Sequence, residues 1–455
     1  MDSDLSIRDI SMTFDDDDTV IRSMSDEGDE DEAVLTRLPS HQWKEIIDFL
    51  TVEDFKALRL TGSKALPNLT DPQFTSHLQL RMDKASFFFD GYDYSEQEVR
   101  RWLSKRTRLV INDGNANISK RRVAYMVQHG FMDSVTDIIA ANCHRHSEVL
   151  RQLSKLPNVN SLKILDSGVP SDDEDDEGEQ SSIASLDGNL EELEAIIEVI
   201  GNMKSLTSLD VEFDTVVSGS RLTFLQGMVN LKFLRLRGFD LSEGLRHISE
   251  LHSLEELHLC HGNFYSSPSN DVNEKDLLHL KGLQHITSLH LEGFDCLSGV
   301  GMSPFVSNSI TDLVLKHCQE SSEDCLSAIG RMTKLKSLHM INNECDDAPI
   351  FGSENLHHLN MLSELKALSL FYVFEEPSDL SCLKGLTSLE TLNLAYEYPM
   401  EDDEIEEVII PLLSTFPHLR KLRIFSPDGM AYSLKNGSLD IEFSSYSFGD
   451  LVHLD

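Results

Sequence analysis

Along the chain, apolar residues recur in a fixed phrase, LxxLxL, with polar residues filling the places between. The phrase reads Leu206-Thr-Ser-Leu209-Asp-Val211, Leu231-Lys-Phe-Leu234-Arg-Leu236, Leu254-Glu-Glu-Leu257-His-Leu259, Ile286-Thr-Ser-Leu289-His-Leu291 and Ile310-Thr-Asp-Leu313-Val-Leu315. It continues as Leu335-Lys-Ser-Leu338-His-Met340, Leu365-Lys-Ala-Leu368-Ser-Leu370, Leu389-Glu-Thr-Leu392-Asn-Leu394 and Leu419-Arg-Lys-Leu422-Arg-Ile424. Counted between middle anchors, the intervals are 25, 23, 32, 24, 25, 30, 24 and 30 residues, a short period with loop-sized extensions. Upstream, Val159-Asn-Ser-Leu162-Lys-Ile164 is a further copy, Val135-Thr-Asp-Ile138-Ile-Ala140 precedes it by one period, and Leu109-Val-Ile111 is a weaker first copy. Self-similarity at such a period predicts a stack of supersecondary units.

In each unit the alternating LxL side chains point to one face of a short strand, and the Leu before them closes the turn into it. No unit buries its apolar face alone, so neighbours must stack into one parallel sheet. The pattern resembles leucine-rich repeats, which implies an α/β solenoid: a curved parallel sheet with helices on the convex side. LEELEAIIEVIG at 190–201 is a candidate for that helical layer. Such repeats favour Asn or Cys shortly after the LxL pair. Cys143, Cys318 and Asn343 stand at that position, whereas Gly262, Phe294 and Val373 depart from it.

Ahead of the repeats, Leu38-Pro39 opens a stretch in which Trp43, Ile46, Ile47 and Leu50 fall at helical spacing. Asp54 then opens a second helix carrying Phe55 and Leu58, and Pro67 ends it. A hairpin this short has more apolar surface than it can hide and needs a solenoid end or a partner. These residues, with Arg59, resemble the F-box; His41 and Gln42 depart from it, standing where an acid and an Ile or Leu are usual. The resemblance implies a substrate receptor of a Skp-cullin-F-box ubiquitin ligase. Leu38, Pro39, Trp43, Ile46, Ile47, Leu50, Phe55 and Leu58 would then dock a Skp-type adaptor bound to a cullin complex, and the concave face would hold the protein to be ubiquitinated.

Charge changes this picture in two places. The 455 residues hold 78 Asp and Glu against 39 Lys and Arg, a formal charge of −39. That field disfavours nucleic acid and anionic membranes as partners. The acids gather at Asp15–Asp18, in SDEGDEDE at 25–32 and in DDEDDEGE at 172–179, runs that cannot bury enough apolar surface to order themselves. The expected organisation is therefore an acidic tail (1–32), an F-box-like helical segment (33–70), a helical connector (71–106), repeats (107–425) with an acidic insertion (169–185), and a C-terminal cap (426–455) whose Leu439, Ile441 and Phe443 alternate. EDDEIEE at 401–407 leads instead into Val408, Ile409, Leu412 and Leu413 at helical spacing, so its acids suit a first helical turn. Ser23, Ser25 and Ser171 beside the acidic runs are candidates for acid-directed phosphorylation.

The seven cysteines form no CxxC pair, no apolar run is long enough to span a bilayer, and the opening MDSDLSIRDI is acidic where a leader is basic. Those features lead to an expectation of a cytoplasmic or nuclear protein. No phosphate loop, HExxH or GxSxG occurs, and the histidines beside Cys143 and the pair His357-His358 have no partner cluster in sequence. The expectation is a non-enzyme without cofactor or metal.

Recognition chemistry is instead carried by the residues that alternate with the Leu anchors and so face the concave surface. In order they include Arg235 and Arg237, His258, His290, Lys316, His339, Phe371, Arg423 and Phe425, interrupted by Asp210, Glu256, Glu292 and Asp312. The basic stripe suggests a protein substrate with an acidic or phosphorylated segment, Arg235 and Arg237 serving as anchors and Phe371 and Phe425 as apolar contacts. The alternative is an acidic leucine-rich-repeat scaffold or chaperone that holds basic proteins such as histones; it requires no N-terminal hairpin, and its client affinity falls with salt.

Overall fold

The computed structural model describes residues 80–81, 107–112, 120–141, 147–166, 181–261, 274–294, 297–307, 309–318, 322–342, 353–373, 377–395, 415–426, 432–436 and 439–445. The chain divides into two units: residues 1–79 with 105–107 form the first, and 80–104 with 108–455 the second. Residues 33–70 lie outside the described residues, as do the acidic runs, residues 401–407, Cys143, His144, His146, Asn343 and Gly262.

In the second unit the described strands form one sheet. They are β1 (Leu80–Arg81), β2 (Arg108–Asn112), β3 (Asp137–Ala141), β4 (Ser161–Asp166), β5 (Ser208–Val217), β6 (Phe233–Phe239), β7 (Glu256–His261), β8 (Ser288–Glu292), β9 (Asp312–Lys316), β10 (Ser337–Ile341), β11 (Ala367–Phe371), β12 (Thr391–Ala395), β13 (Lys421–Ser426), β14 (Tyr432–Asn436) and β15 (Leu439–Ser445). From β1 to β13 they pair in chain order and in parallel. β15 joins β13 in parallel, and β14 lies antiparallel on its far side. Chain-order parallel pairing is the arrangement that stacked repeats require.

The register follows the repeat phrase. Leu209 sits beside Leu234, Leu234 beside Leu257 and Leu257 beside Leu289, so each anchor meets its equivalent one repeat away. These anchors are fully buried in one continuous core that runs from Leu109 to Ile424. Complete burial of a Leu side chain contributes about 1.5–3 kcal/mol, and each repeat reaches that burial only by being covered from both neighbours. The early copies at Leu109–Ile111 and Ile138–Ala140 are likewise core strands.

Helices face this core from the other side of the anchors. The segment at 190–201 lies within a helix, Ser181–Asn202, that buries Leu193, Ile196, Ile197, Val199 and Ile200. Elsewhere the layer is made of short helices such as Leu241–Ile248, Gly299–Val306 and Glu323–Gly330, alternating with 3-10 turns such as Gly219–Leu225. Gly219 and Gly244 let two of these pieces meet, since a Cβ on Gly219 would fall 2.0 Å from the Asp240 carbonyl oxygen.

The strands also end in a common way. Gly238, Gly293, His317 and Tyr372 follow the last outward-facing residue of β6, β8, β9 and β11, and all four have positive φ. At Gly238 and Gly293 a Cβ would lie 2.1 and 2.3 Å from a neighbouring carbonyl oxygen, so glycine is required there. Cys318, one residue further on, is buried and its thiol donates to the Leu291 and Lys316 carbonyls at 3.5 Å. It therefore fills the ladder position expected of it, while Phe294 and Val373 fill the equivalent places by apolar burial.

Candidate recognition face

The sheet face opposite the helices is assembled by register. One row, at the position between the two LxL anchors, runs Lys163, Asp210, Arg235, His258, His290, Val314, His339, Ser369, Asn393 and Arg423 from β4 to β13. The next row, just past the second anchor, runs Glu212, Arg237, Cys260, Glu292, Lys316, Ile341, Phe371, Ala395 and Phe425. Side chains far apart in sequence thus become neighbours about 4.8 Å apart, the spacing of adjacent strands.

From β4 to β9 the two rows form an ion-pair network. The Glu292 carboxylate accepts from Arg237 Nη2 at 2.7 Å through Oε1, which also lies 3.2 Å from Lys316 Nζ. Its Oε2 accepts from the Cys260 thiol at 3.2 Å. Burial alone would raise this carboxyl, but Lys316 and Arg237 outweigh it and hold the group at about 2. The same surroundings push the Cys260 thiol up to about 12, through burial first and then the Glu292 charge. Cys260 is therefore a neutral hydrogen-bond donor and not a nucleophile.

Arg237 has a second, longer contact to Glu212 at 3.5 Å. Arg235 differs from it. Its guanidinium lies 3.7 Å from Asp210 and 3.4 Å from Glu212 and donates no hydrogen bond among the described residues; Lys163 approaches Asp210 more closely, at 3.1 Å. Burial is the largest influence and works against its charge, but Asp210, Glu212 and Glu292 act in the other direction and together raise the group, so Arg235 stays protonated. Four cations and three carboxylates thus share the network, which carries one net positive charge.

The histidines divide by partner. His258 Nε2 is 2.8 Å from Glu256 Oε1, and its ring meets Phe233 edge-on and lies 5.1 Å from the His290 ring. His290 is lowered to about 3 by burial and then by His258, so it is neutral, and its buried Nε2 has no hydrogen-bond partner. His339 is held on both sides, by Ser337 Oγ at 2.8 Å and Ser369 Oγ at 2.7 Å.

From β10 to β13 the second row of this face is apolar and closed. Ile341, Phe371, Tyr372, Ala395 and Phe425 form their own buried cluster, separate from the main core, with the Phe371 and Phe425 rings 5.4 Å apart and edge-on. Phe371 is 0% and Phe425 6% exposed. These rings are not open contacts for a partner as the sequence pattern suggested; they stabilise the sheet. Lys316, 6% exposed at its side chain, is likewise a structural cation locked on Glu292. Arg423 is half-buried on β13. The expected adaptor-docking residues, Leu38 to Leu58, lie outside the described residues.

Sequence reading missed Lys163, Glu212 and Cys260 as members of the face. The signal was present, because each shares a repeat offset with a residue already singled out. Among the described residues no group of three or more His, Cys, Asp or Glu is arranged to hold a metal ion, and no helix is long and apolar enough to cross a membrane.

No protein-family model matches the chain, and no curated protein matches it. Among solved structures it is similar to an internalin from Listeria monocytogenes str. 4b F2365, with 14% identity and a TM-score of 0.38 over 74% of this chain and 92% of that one. A second, internalin C2 from the same strain, shares 18% identity with a TM-score of 0.30 over 45% of this chain and 83% of that one. A leucine-rich-repeat protein of Leptospira interrogans shares 13% identity with a TM-score of 0.36 over 77% and 97%. The repeat class of this chain rests on its own anchors, register and sheet order.

Proposed function

We propose that this chain is a non-catalytic protein-recognition module, acting as the substrate receptor of a Skp-cullin-F-box ubiquitin ligase. In this reading residues 33–70 dock the Skp-type adaptor and the open sheet face between β4 and β10 holds the target protein. The observation that carries the recognition reading is the character of that face. Its outward side chains are charged and polar, they are knitted across strands, and Lys163, Arg235, His258 and His290 each stay about a quarter exposed. A face of this kind is suited to binding a polypeptide, whose specificity lies in side chains that do not define the fold. The adaptor assignment is supported by the Leu38–Leu58 pattern and its position ahead of the repeats.

The test is a pull-down of the full-length protein, and of a version lacking residues 33–70, against purified Skp adaptor. Binding by the first and loss in the second, with the repeats of both unfolding at the same temperature, is the expected result. Equal binding, or none by either, removes the ligase-receptor reading. The acidic scaffold reading predicts instead that histones bind both versions, with an affinity that collapses between low and high salt.

A further inference from the structure

The ion-pair network treats its two arginines differently. Arg237 is fixed by a 2.7 Å hydrogen bond to Glu292 and is 14% exposed at its side chain. Arg235, one alternation earlier on β6, is 26% exposed, has only the two ion-pair contacts beyond 3.3 Å, and donates no hydrogen bond from its five N–H groups. A guanidinium that is largely withdrawn from water and left without a hydrogen bond is an unused donor fork.

Two more unused polar atoms flank it in the same row. Asp210 Oδ1 on β5 and His290 Nε2 on β8 are both buried without a hydrogen-bond partner. Their strands are separated by three strand spacings, about 14 Å, and an extended polypeptide covers that distance in about four residues. Arg235 and His258 lie between them. A donor fork that stays a quarter exposed, flanked by a carboxylate oxygen and an imidazole nitrogen, matches the anionic side chain of a short extended segment laid across the strands.

Resting on the recognition reading above, we propose that Asp210, Arg235 and His290 form a subsite for one Asp or Glu side chain of an extended partner segment, its carboxylate paired with the Arg235 guanidinium. A planar carboxylate offers two oxygens to the fork, which a neutral amide of the same shape does not. Arg237 and Lys316 take no part in holding it, because Glu292 occupies them.

The probe is a displayed library of random twelve-residue peptides selected on the full-length protein. Enriched sequences are then synthesised with the acidic position as Glu, as Gln and as phosphoserine. Wild-type protein is expected to enrich peptides with one fixed acidic position, and both Arg235→Gln in the protein and Glu→Gln in the peptide are expected to weaken binding about tenfold or more, without further loss when combined. Arg235→Lys, which keeps the charge and removes the fork, serves if Arg235→Gln is unfolded, and is expected to weaken binding as well. Arg331→Gln, exposed at the end of the Glu323–Gly330 helix, is expected to leave binding unchanged.

Peptides that bind Arg235→Gln as tightly as wild type but lose affinity on His258→Ala would overturn the subsite and leave recognition by this face standing. Binding of the phosphoserine form with no binding of the Glu form overturns the carboxylate assignment. Absence of any enriched peptide contradicts both the subsite and recognition by the face, whereas the adaptor pull-down reports on residues 33–70 independently.

Discussion

The two halves of the open sheet face share one scaffold and differ in what the row just past the second anchor contains. On β5 to β9 it holds Glu212, Arg237, Cys260, Glu292 and Lys316; on β10 to β13 it holds Ile341, Phe371, Ala395 and Phe425. In the second half the row has collapsed into a closed apolar cluster, and in the first it is a charged network beside a row in which Asp210 Oδ1 and His290 Nε2 have no hydrogen-bond partner among the described residues. The difference shows that an outward-facing position in a repeat is not by itself a binding position. What matters is whether the row satisfies itself.

The apolar half breaks most severely by truncation. Phe371→Ala removes a fully buried ring and its edge-on partner contact, and the expected loss is about 4 kcal/mol of stability, read from urea unfolding. A loss below about 1 kcal/mol would mean that the cluster is not a supporting element. In the polar half, Glu292→Gln is expected to cost about 3 kcal/mol, because it leaves the buried Arg237 and Lys316 charges without their shared carboxylate.

Acid separates the halves further. Glu292, held at about 2 against its ordinary 4.5, contributes stability that is complete above pH 4.5 and is lost as pH falls toward 2. His290, near 3, and His317, near 4, are neutral in the folded protein and take up protons more readily when unfolded. Their contribution is complete above pH 6.5 and lost as pH falls through 6.5 toward those values. For His290 the loss is on the order of 2 kcal/mol by pH 4.5. Hydrogen exchange at pH 4.5 is expected to open β7–β9 before β11–β13, and His290→Gln to flatten the acid limb between pH 6.5 and 4.5. An acid limb unchanged in that variant would exclude His290 as its source.

The repeats, their parallel order and their core were legible in the sequence because each anchor repeats a local pattern. Leu209, Leu234 and Leu257 lie where the phrase puts them. The first copy at Leu109–Ile111, weakest in sequence, is also a strand, because its register to β3 supplies what its pattern lacks. The face was legible only as a list of outward positions. Arg237 and Glu292 are 55 residues apart, and their pairing emerges only when the one intervening strand, β7, brings equal offsets together. Phe371 and Phe425 read as open rings in a linear scan, yet aligned by offset they fall into one row with Ile341 and Ala395, whose apolar character closes them. Arg235 and Arg237 look equivalent in sequence, and only side-chain geometry distinguishes the locked one from the spare one.

That distinction is the centre of the account, and urea unfolding of Arg235→Gln and Arg237→Gln beside the wild-type protein at neutral pH tests it directly. Arg237→Gln is expected to lose about 2–3 kcal/mol, since it strips a buried carboxylate of its closest hydrogen bond. Arg235→Gln is expected to lose no more than about 0.5 kcal/mol, since its ion pairs are long and part-exposed. Equal losses would make Arg235 an architectural residue like its neighbour and would contradict its assignment to a partner.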